Sequence, residues 1–410
     1  MSTAPIGAPS GKDIPPAGLD LWIMAGQSNM EGYGILEQDP RVAIDVWNFA
    51  SAGRWERARD PLHWLWESLA PVDQRILRLH QQENDPYGRL TDDEIVRRER
   101  SGRVVGTGLG IPFAEEMVRR NGRPVGLIPA AHGGTTLNDW APDPRGPNGD
   151  TLYGALLTRV ERALALNGSA VRGVLWFQGE ADATPELSQT YEARLESWVA
   201  ALRRDLGQPD LAVLLVQLGR LVTTPTILEI GLDSKSWSAI REAHRLVAER
   251  VPNVRATSAI DLGLSDEIHL NSNALDRLGR RLARRACDCA SPKLLSVSKF
   301  APLANGKPTL LVRFDGVTGG WAPSSSLTGL EMTNEQGDPL NQVRVIDIHR
   351  WDDVGTLRIV ITAEQDEMFL AYGQGFNPDA SMTDHEDNPL LAFGPAKVDS
   401  TGMETVDTSL

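Results

Sequence analysis

Residues 19–30 read LDLWIMAGQSNM, and this stretch decides the fold. From Leu19 to Ala25 the only charged residue is Asp20, and Gly26 closes the run. A short apolar run stopped by glycine reads as a strand buried inside a sheet. Ser28 then stands where the strand feeds a helix, so its hydroxyl is expected at the carboxyl edge of the sheet. Open α/β folds bind their ligands at that edge.

Working outward, Pro124–Ala130, Gly173–Phe177, Leu211–Leu218 and Val254–Ile260 repeat the same short apolar type. Between them lie helical stripes. Leu152, Leu156, Val160, Ala163 and Leu166 keep helical spacing from Asp150, the expected N-cap, to Gly168. Leu187 to Leu206, Trp237 to Val251 and Leu275 to Leu282 do likewise. Strands alternating with helices of this length specify βαβ units, hence an α/β fold with a mostly parallel sheet and helices on both faces. Residues 55–104 break the rhythm with a polar, charged stretch, expected as an insertion in a loop above the sheet. After Ala290 the texture turns to short β-like runs (TLLVRF, VRVIDIHRW, LRIVITA) with turn residues between them, expected as a separate β-sandwich over 291–398. Residues 1–18 read as a leader and 399–410 as a loose tail.

Composition narrows the function. Asp plus Glu number 55 against 41 Lys plus Arg, a formal charge of −14. Such a surface repels phosphate backbones and anionic lipid, so neither nucleic acid nor membrane is an expected partner. No apolar run reaches the roughly 18 residues of a membrane span. The chain as written reads as cytoplasmic, or as periplasmic or secreted if a signal peptide has been removed. Cys287 and Cys289, the only cysteines, are too close for ordinary disulfide geometry and too few for a zinc site. With no phosphate-loop or dinucleotide motif and no metal-ligand spacing, the chemistry is expected to need neither cofactor nor metal.

The candidate chemistry sits on loops at strand carboxyl ends. Asp266-Glu267-Ile268-His269 places a carboxylate three residues before an imidazole. On one tight loop the carboxylate can hold one ring nitrogen while the other faces a nucleophile. Ser28 at the matching sheet edge supplies that nucleophile. Ala131-His132-Gly133-Gly134-Thr135, followed by Trp140, and Gln178-Gly179-Glu180 form two further loops, and Thr107-Gly108-Leu109-Gly110 a third. Their glycines allow close backbone approach, and an uncharged amide can donate to an oxyanion. His244, on an apolar helix face, reads as a core histidine.

In this order, Gly-Gln-Ser-Asn-Met, Gly-x-Gly-x-x-Phe-Ala, Gly-Gly-Thr with Trp, Trp-Phe-Gln-Gly-Glu-Ala-Asp and Asp-x-x-His resemble the SGNH hydrolase superfamily. The likeness is to its sialate O-acetylesterase and carbohydrate esterase family six branch, over about residues 19–290. The resemblance implies a three-layer α/β/α hydrolase domain with Ser28 as nucleophile, His269 as base and Asp266 as its orienting carboxylate. It implies an oxyanion hole from the N–H of Ser28, the N–H of Gly108 or alternatively Gly110, and the side chain of Gln178. Gln27, Gly133, Gly134, Thr135, Trp140 and Glu180 would belong to the substrate site, Glu180 by supporting its loop. The expected activity is removal of acetyl or other small acyl groups from a sugar or glycan. A general short-chain esterase and a non-catalytic carbohydrate-binding or scaffold protein are the alternatives.

Overall fold

The structure, a computed structural model, describes residues 15–84, 104–167, 170–225, 229–287, 289–322, 327–351 and 353–404. Most of the expected leader, the charged part of the expected insertion and the last six residues lie outside these.

A seven-stranded sheet forms the larger core. Its strands are β1 (Asp20–Gly26), β3 (Val46–Phe49), β4 (Trp55–Arg57), β6 (Val125–Pro129), β7 (Ala170–Phe177), β8 (Ala212–Gln217) and β9 (Val254–Ser258), in the order β4-β3-β6-β1-β7-β8-β9. All neighbours are parallel except the edge pair β3 and β4. Every residue of β1 is buried, as its apolar run requires of a central strand. Val46–Phe49 is too short and mixed to announce itself in the sequence, yet it pairs with β6. Trp55–Arg57, expected to open the insertion, instead makes the sheet's antiparallel edge. A small ribbon pairs β2 (Gly34–Ile35) with β5 (Val105–Thr107).

The helices include the four expected stripes, which are the last four in chain order. The helices are α1 (Ser28–Glu31), α2 (Pro71–Asn84), α3 (Gly110–Asn121), α4 (Leu152–Asn167), α5 (Ser188–Asp205), α6 (Ser234–Arg250) and α7 (Ser272–Ala286). Thr151, not Asp150, caps α4: its hydroxyl accepts from the Gly154 N–H at 3.1 Å. Helix α3 packs on α7, and α5 on α6. From β1 the chain first fills one side of the sheet with β3 and β6, then crosses to β7, β8 and β9 on the other. That reversal creates a crevice at the carboxyl ends of β1 and β7.

The region after 290 has its own core. Strands β10 (Lys293–Phe300), β11 (Thr309–Asp315), β14 (Val345–Arg350), β15 (Thr356–Ile361) and β19 (Asp399–Glu404) form one sheet, and β13 (Leu330–Thr333), β16 (Phe369–Tyr372) and β18 (Phe393–Lys397) another. Strands β12 (Trp321–Ala322) and β17 (Thr383–Asp384) make a short pair. Side chains of both larger sheets, including Val312, Ile359, Met332 and Leu370, share one apolar cluster. Residues 399–404, expected as tail, pair in parallel with β10.

Arg281 of α7 ties this region to the larger one. It is 1% exposed and grips both Asp261 oxygens at 2.7 Å and Asp387 at 2.7 Å. Burial would raise the Asp387 carboxyl, but Arg277 and Arg281 outweigh it and hold it at about 2. Removing one partner of a buried ionic cluster leaves the others uncompensated. Arg281→Met is therefore expected to destabilise by about 3 kcal/mol, read by denaturant unfolding. The stability that Asp387 contributes is complete above its unfolded value of about 4 and fades as pH falls toward its folded one.

Candidate active site

Gly26 makes the turn that delivers Ser28. Its φ is +135°, and a Cβ there would lie 2.1 Å from the Phe177 carbonyl oxygen. Only glycine lets β1 end this close to β7. The Gln27 N–H then donates to Phe177 O at 2.9 Å, and the His132 N–H to Gly26 O at 3.0 Å, so the turn is stitched between the ends of β7 and β6.

At that edge the distant loops meet. His269 Nε2 lies 2.9 Å from Ser28 Oγ, across 241 positions of chain, and His269 Nδ1 lies 2.7 Å from Asp266 Oδ2. The other oxygen of Asp266 accepts from the N–H groups of Ile268 (2.9 Å) and His269 (2.7 Å). Burial would raise the Asp266 carboxyl, but these two N–H groups and the imidazole outweigh it and hold it below the usual carboxylate range. Hydroxyl, imidazole and carboxylate thus stand in line, an arrangement that can take a proton from the hydroxyl and stabilise the imidazolium that results.

Two residues given no role from the sequence hold this line. Asn29 Oδ1 accepts from the Leu270 N–H at 3.0 Å, and its Nδ2 donates to Glu180 Oε1 at 2.9 Å and to Ile268 O at 3.3 Å. One amide therefore ties the serine turn to the histidine loop and to the loop after β7. Tyr33 stacks on the imidazole, centroids 4.0 Å apart and planes 14° from parallel. An amide beside the serine and an aromatic five residues on were visible in the sequence, but nothing local shows what they touch.

Four expected site residues prove to be scaffold. Gln178 is fully buried, and its Nε2 donates to Asp182 Oδ2 (2.7 Å), Thr135 O (3.1 Å) and Gln27 Oε1 (3.3 Å). With its amide engaged beneath the surface, it braces the serine turn rather than facing an oxyanion. Gln27 is likewise buried, and its Oε1 also accepts from the Gly179 N–H. Trp140 is fully buried, donates to Thr135 Oγ1 at 3.0 Å and meets Trp176 edge-on, so it underlies the site and cannot stack on a sugar. Glu180, expected also to support its loop, is buried. One oxygen is held by Asn29, the other has no partner among the described residues, and burial pushes its carboxyl above the usual range. All four corrections share a cause. Loop residues at a sheet edge can point up or down, and spacing does not say which.

Of the remaining positions Gly133 is half-buried and Gly134 exposed, whereas Thr135 and Gly108 are buried. A Cβ on Gly133 would lie 3.7 Å from that of Ser28, and the Gly133 N–H donates to Glu31 Oε2 at 3.0 Å. Gly134 has open space where a side chain would stand. Thr135 donates its hydroxyl to His132 O at 2.8 Å. Gly108 sits against Gly32, and its N–H lies by the Asp60 carboxyl, which burial pushes up to about 7. His244 is fully buried with Nε2 3.1 Å from the Tyr191 hydroxyl. No cluster of metal-ligating side chains occurs among the described residues.

Fold and site together define an α/β protein equipped for hydrolytic chemistry. Over residues 18–288 the chain matches the family described as carbohydrate esterase, sialic acid-specific acetylesterase, and it belongs to that family. It is 26% identical over 291 residues to a probable carbohydrate esterase of Arabidopsis thaliana, covering 66% of this chain and 90% of the relative. The X-ray structure of an Arabidopsis thaliana protein aligns with 67% of this chain and 99% of its own at 25% identity, with a TM-score of 0.48. The crystal structure of a carbohydrate acetylesterase from Xanthomonas citri shares the fold over 91% of this chain and 80% of its own, at 18% identity and a TM-score of 0.58.

Proposed function

We propose that this chain is a serine esterase that removes acetyl groups from an acetylated carbohydrate through an acyl-enzyme. The single observation that carries the mechanism is the 2.9 Å approach of His269 Nε2 to Ser28 Oγ, backed by Asp266 on the other ring nitrogen. Ser28 Oγ adds to the ester carbonyl as its proton passes to His269. The imidazolium then protonates the departing sugar oxygen, and the acetyl group stays on Ser28. Water, deprotonated by the same imidazole, attacks the acyl-enzyme and releases acetate. The developing oxyanion is assigned to the N–H of Ser28, with Gln178 acting from beneath by holding Thr135 and Gln27; the Gly108 N–H, expected to join it, is turned to the Asp60 carboxyl instead. Ser28 is the first residue of α1, a position whose N–H has no intrahelical partner.

The substrate class rests on the family and on the small, glycine-bordered surface around Ser28. Acetate release from a panel of acetylated sugars and glycans tests it, alongside acetyl and octanoyl esters of one chromophore. The acetyl ester is expected to react faster and at least one acetylated carbohydrate to release acetate. Preference for octanoyl, with no release from any carbohydrate, would leave a general short-chain esterase. A wild-type chain that fluorophosphonate fails to label at Ser28 would point to a non-catalytic binding protein.

A further inference from the structure

The family match ends at residue 288, yet the region beyond it reaches the catalytic loop. Between β16 and β17 the chain runs Gly373-Gln374-Gly375-Phe376-Asn377. Arg241 of α6, 1% exposed, binds this loop and the segment after β8 with one guanidinium. Its Nη1 donates to Gly373 O at 2.9 Å and Gly375 O at 2.6 Å, its Nε to Leu218 O at 3.0 Å, and its Nη2 to Gly219 O. No carboxylate pairs with it among the described residues, so a buried cation is retained here solely to hold carbonyls of two loops together. Phe376 adds a second clasp. Its carbonyl accepts from the Leu221 N–H at 2.8 Å, and its ring meets Trp237, whose indole N–H donates to Gly219 O at 3.1 Å.

The next residue along completes the connection. The Val222 N–H donates to Glu267 O at 2.8 Å, the carbonyl directly after Asp266. Asn29 holds the far side of the same loop, at Ile268 O and the Leu270 N–H. The Asp266 side chain is 42% exposed, so its aim depends on the backbone that carries it rather than on packing.

We propose that Arg241 and Phe376 are positioning residues for Asp266 and His269, acting through residues 218–222, so that the β-rich region completes the active site. This rests on the esterase reading of Ser28, Asp266 and His269. A displacement of order 1 Å in a catalytic group costs up to about 10²-fold in rate. The groups facing the imidazole are Asp266 on its own loop, Ser28 and Tyr33 from the serine turn, and Glu180 from the loop after β7. Loosening Asp266 alone removes stabilisation of the imidazolium.

The test compares full-length wild type, Ser28→Ala, Phe376→Ala and Arg241→Met on 4-nitrophenyl acetate, with active sites counted by fluorophosphonate titration. Phe376→Ala is expected to lower kcat per titrated site about 10-fold and Arg241→Met up to about 100-fold, with KM within about two-fold. The acid limb of kcat/KM should move to lower pH in both. Loss of titratable sites with unchanged kcat per site and an unmoved acid limb would show a merely structural role and overturn the proposal. Wild-type kinetics in folded Phe376→Ala would do the same, and that variant decides alone if Arg241→Met does not fold. Wild type without Ser28-dependent turnover would instead sink the esterase reading itself, and the positioning role with it.

Discussion

Ser28→Ala is expected to lower kcat for acetyl ester hydrolysis by about 10³-fold or more, with the thermal transition unchanged. Alanine keeps the backbone of the turn and its N–H groups, and it removes the oxygen that lies 2.9 Å from His269 Nε2. What survives is catalysis by binding and oxyanion stabilisation without a covalent step. Steady-state acetate release measures the loss, and labelling by fluorophosphonate should vanish in parallel. Turnover near the wild-type value would mean that the nucleophile lies elsewhere.

Asp266→Asn is expected to cost a comparable factor, about 10³-fold in kcat, without unfolding the chain. The carboxylate has two jobs that an amide cannot do together. One oxygen accepts from the Ile268 and His269 N–H groups, and the other accepts from His269 Nδ1. If the Asn carbonyl keeps the backbone bonds, its NH2 faces Nδ1 and forces the tautomer that leaves Nε2 protonated and unable to take the serine proton. If the amide turns over, the NH2 opposes two donors and the loop must move. Either way the imidazole loses a negative neighbour, so any residual activity should show an acid limb displaced to lower pH. An Asn variant with wild-type kcat would remove Asp266 from the mechanism.

The legible part of the site was the part built locally. Asp266 and His269 are three residues apart, and the carboxylate closes its turn on N–H groups two and three residues ahead, so the motif predicts its own geometry. Gly26 was legible as the end of an apolar run. Less was visible where a role depends on direction. Gln178 and Trp140 stand in the right loops, yet both side chains turn inward, toward Asp182 and Thr135, because that is where their polar atoms find partners. The importance of Asn29 was hidden in a motif whose serine drew attention, since its partners lie 151 and 239 or more positions away.

Periodicity and punctuation by themselves determined the first strand, the alternation of strands and helices from residue 124 to 290, the change of texture after it, and the placement of Ser28 and His269 on loops after strands. These follow from short-range rules, because burial on one or both faces imprints a repeat on neighbouring residues. Tertiary structure alone decided that Ser28 and His269 are in contact, that Gln178 and Trp140 are scaffold, and that Arg241 clasps a loop more than 130 positions away. A hydrogen bond between segments far apart leaves no repeat in either one. Only the folded chain, by bringing both ends of the bond to the same place, shows which polar side chains serve chemistry and which serve one another.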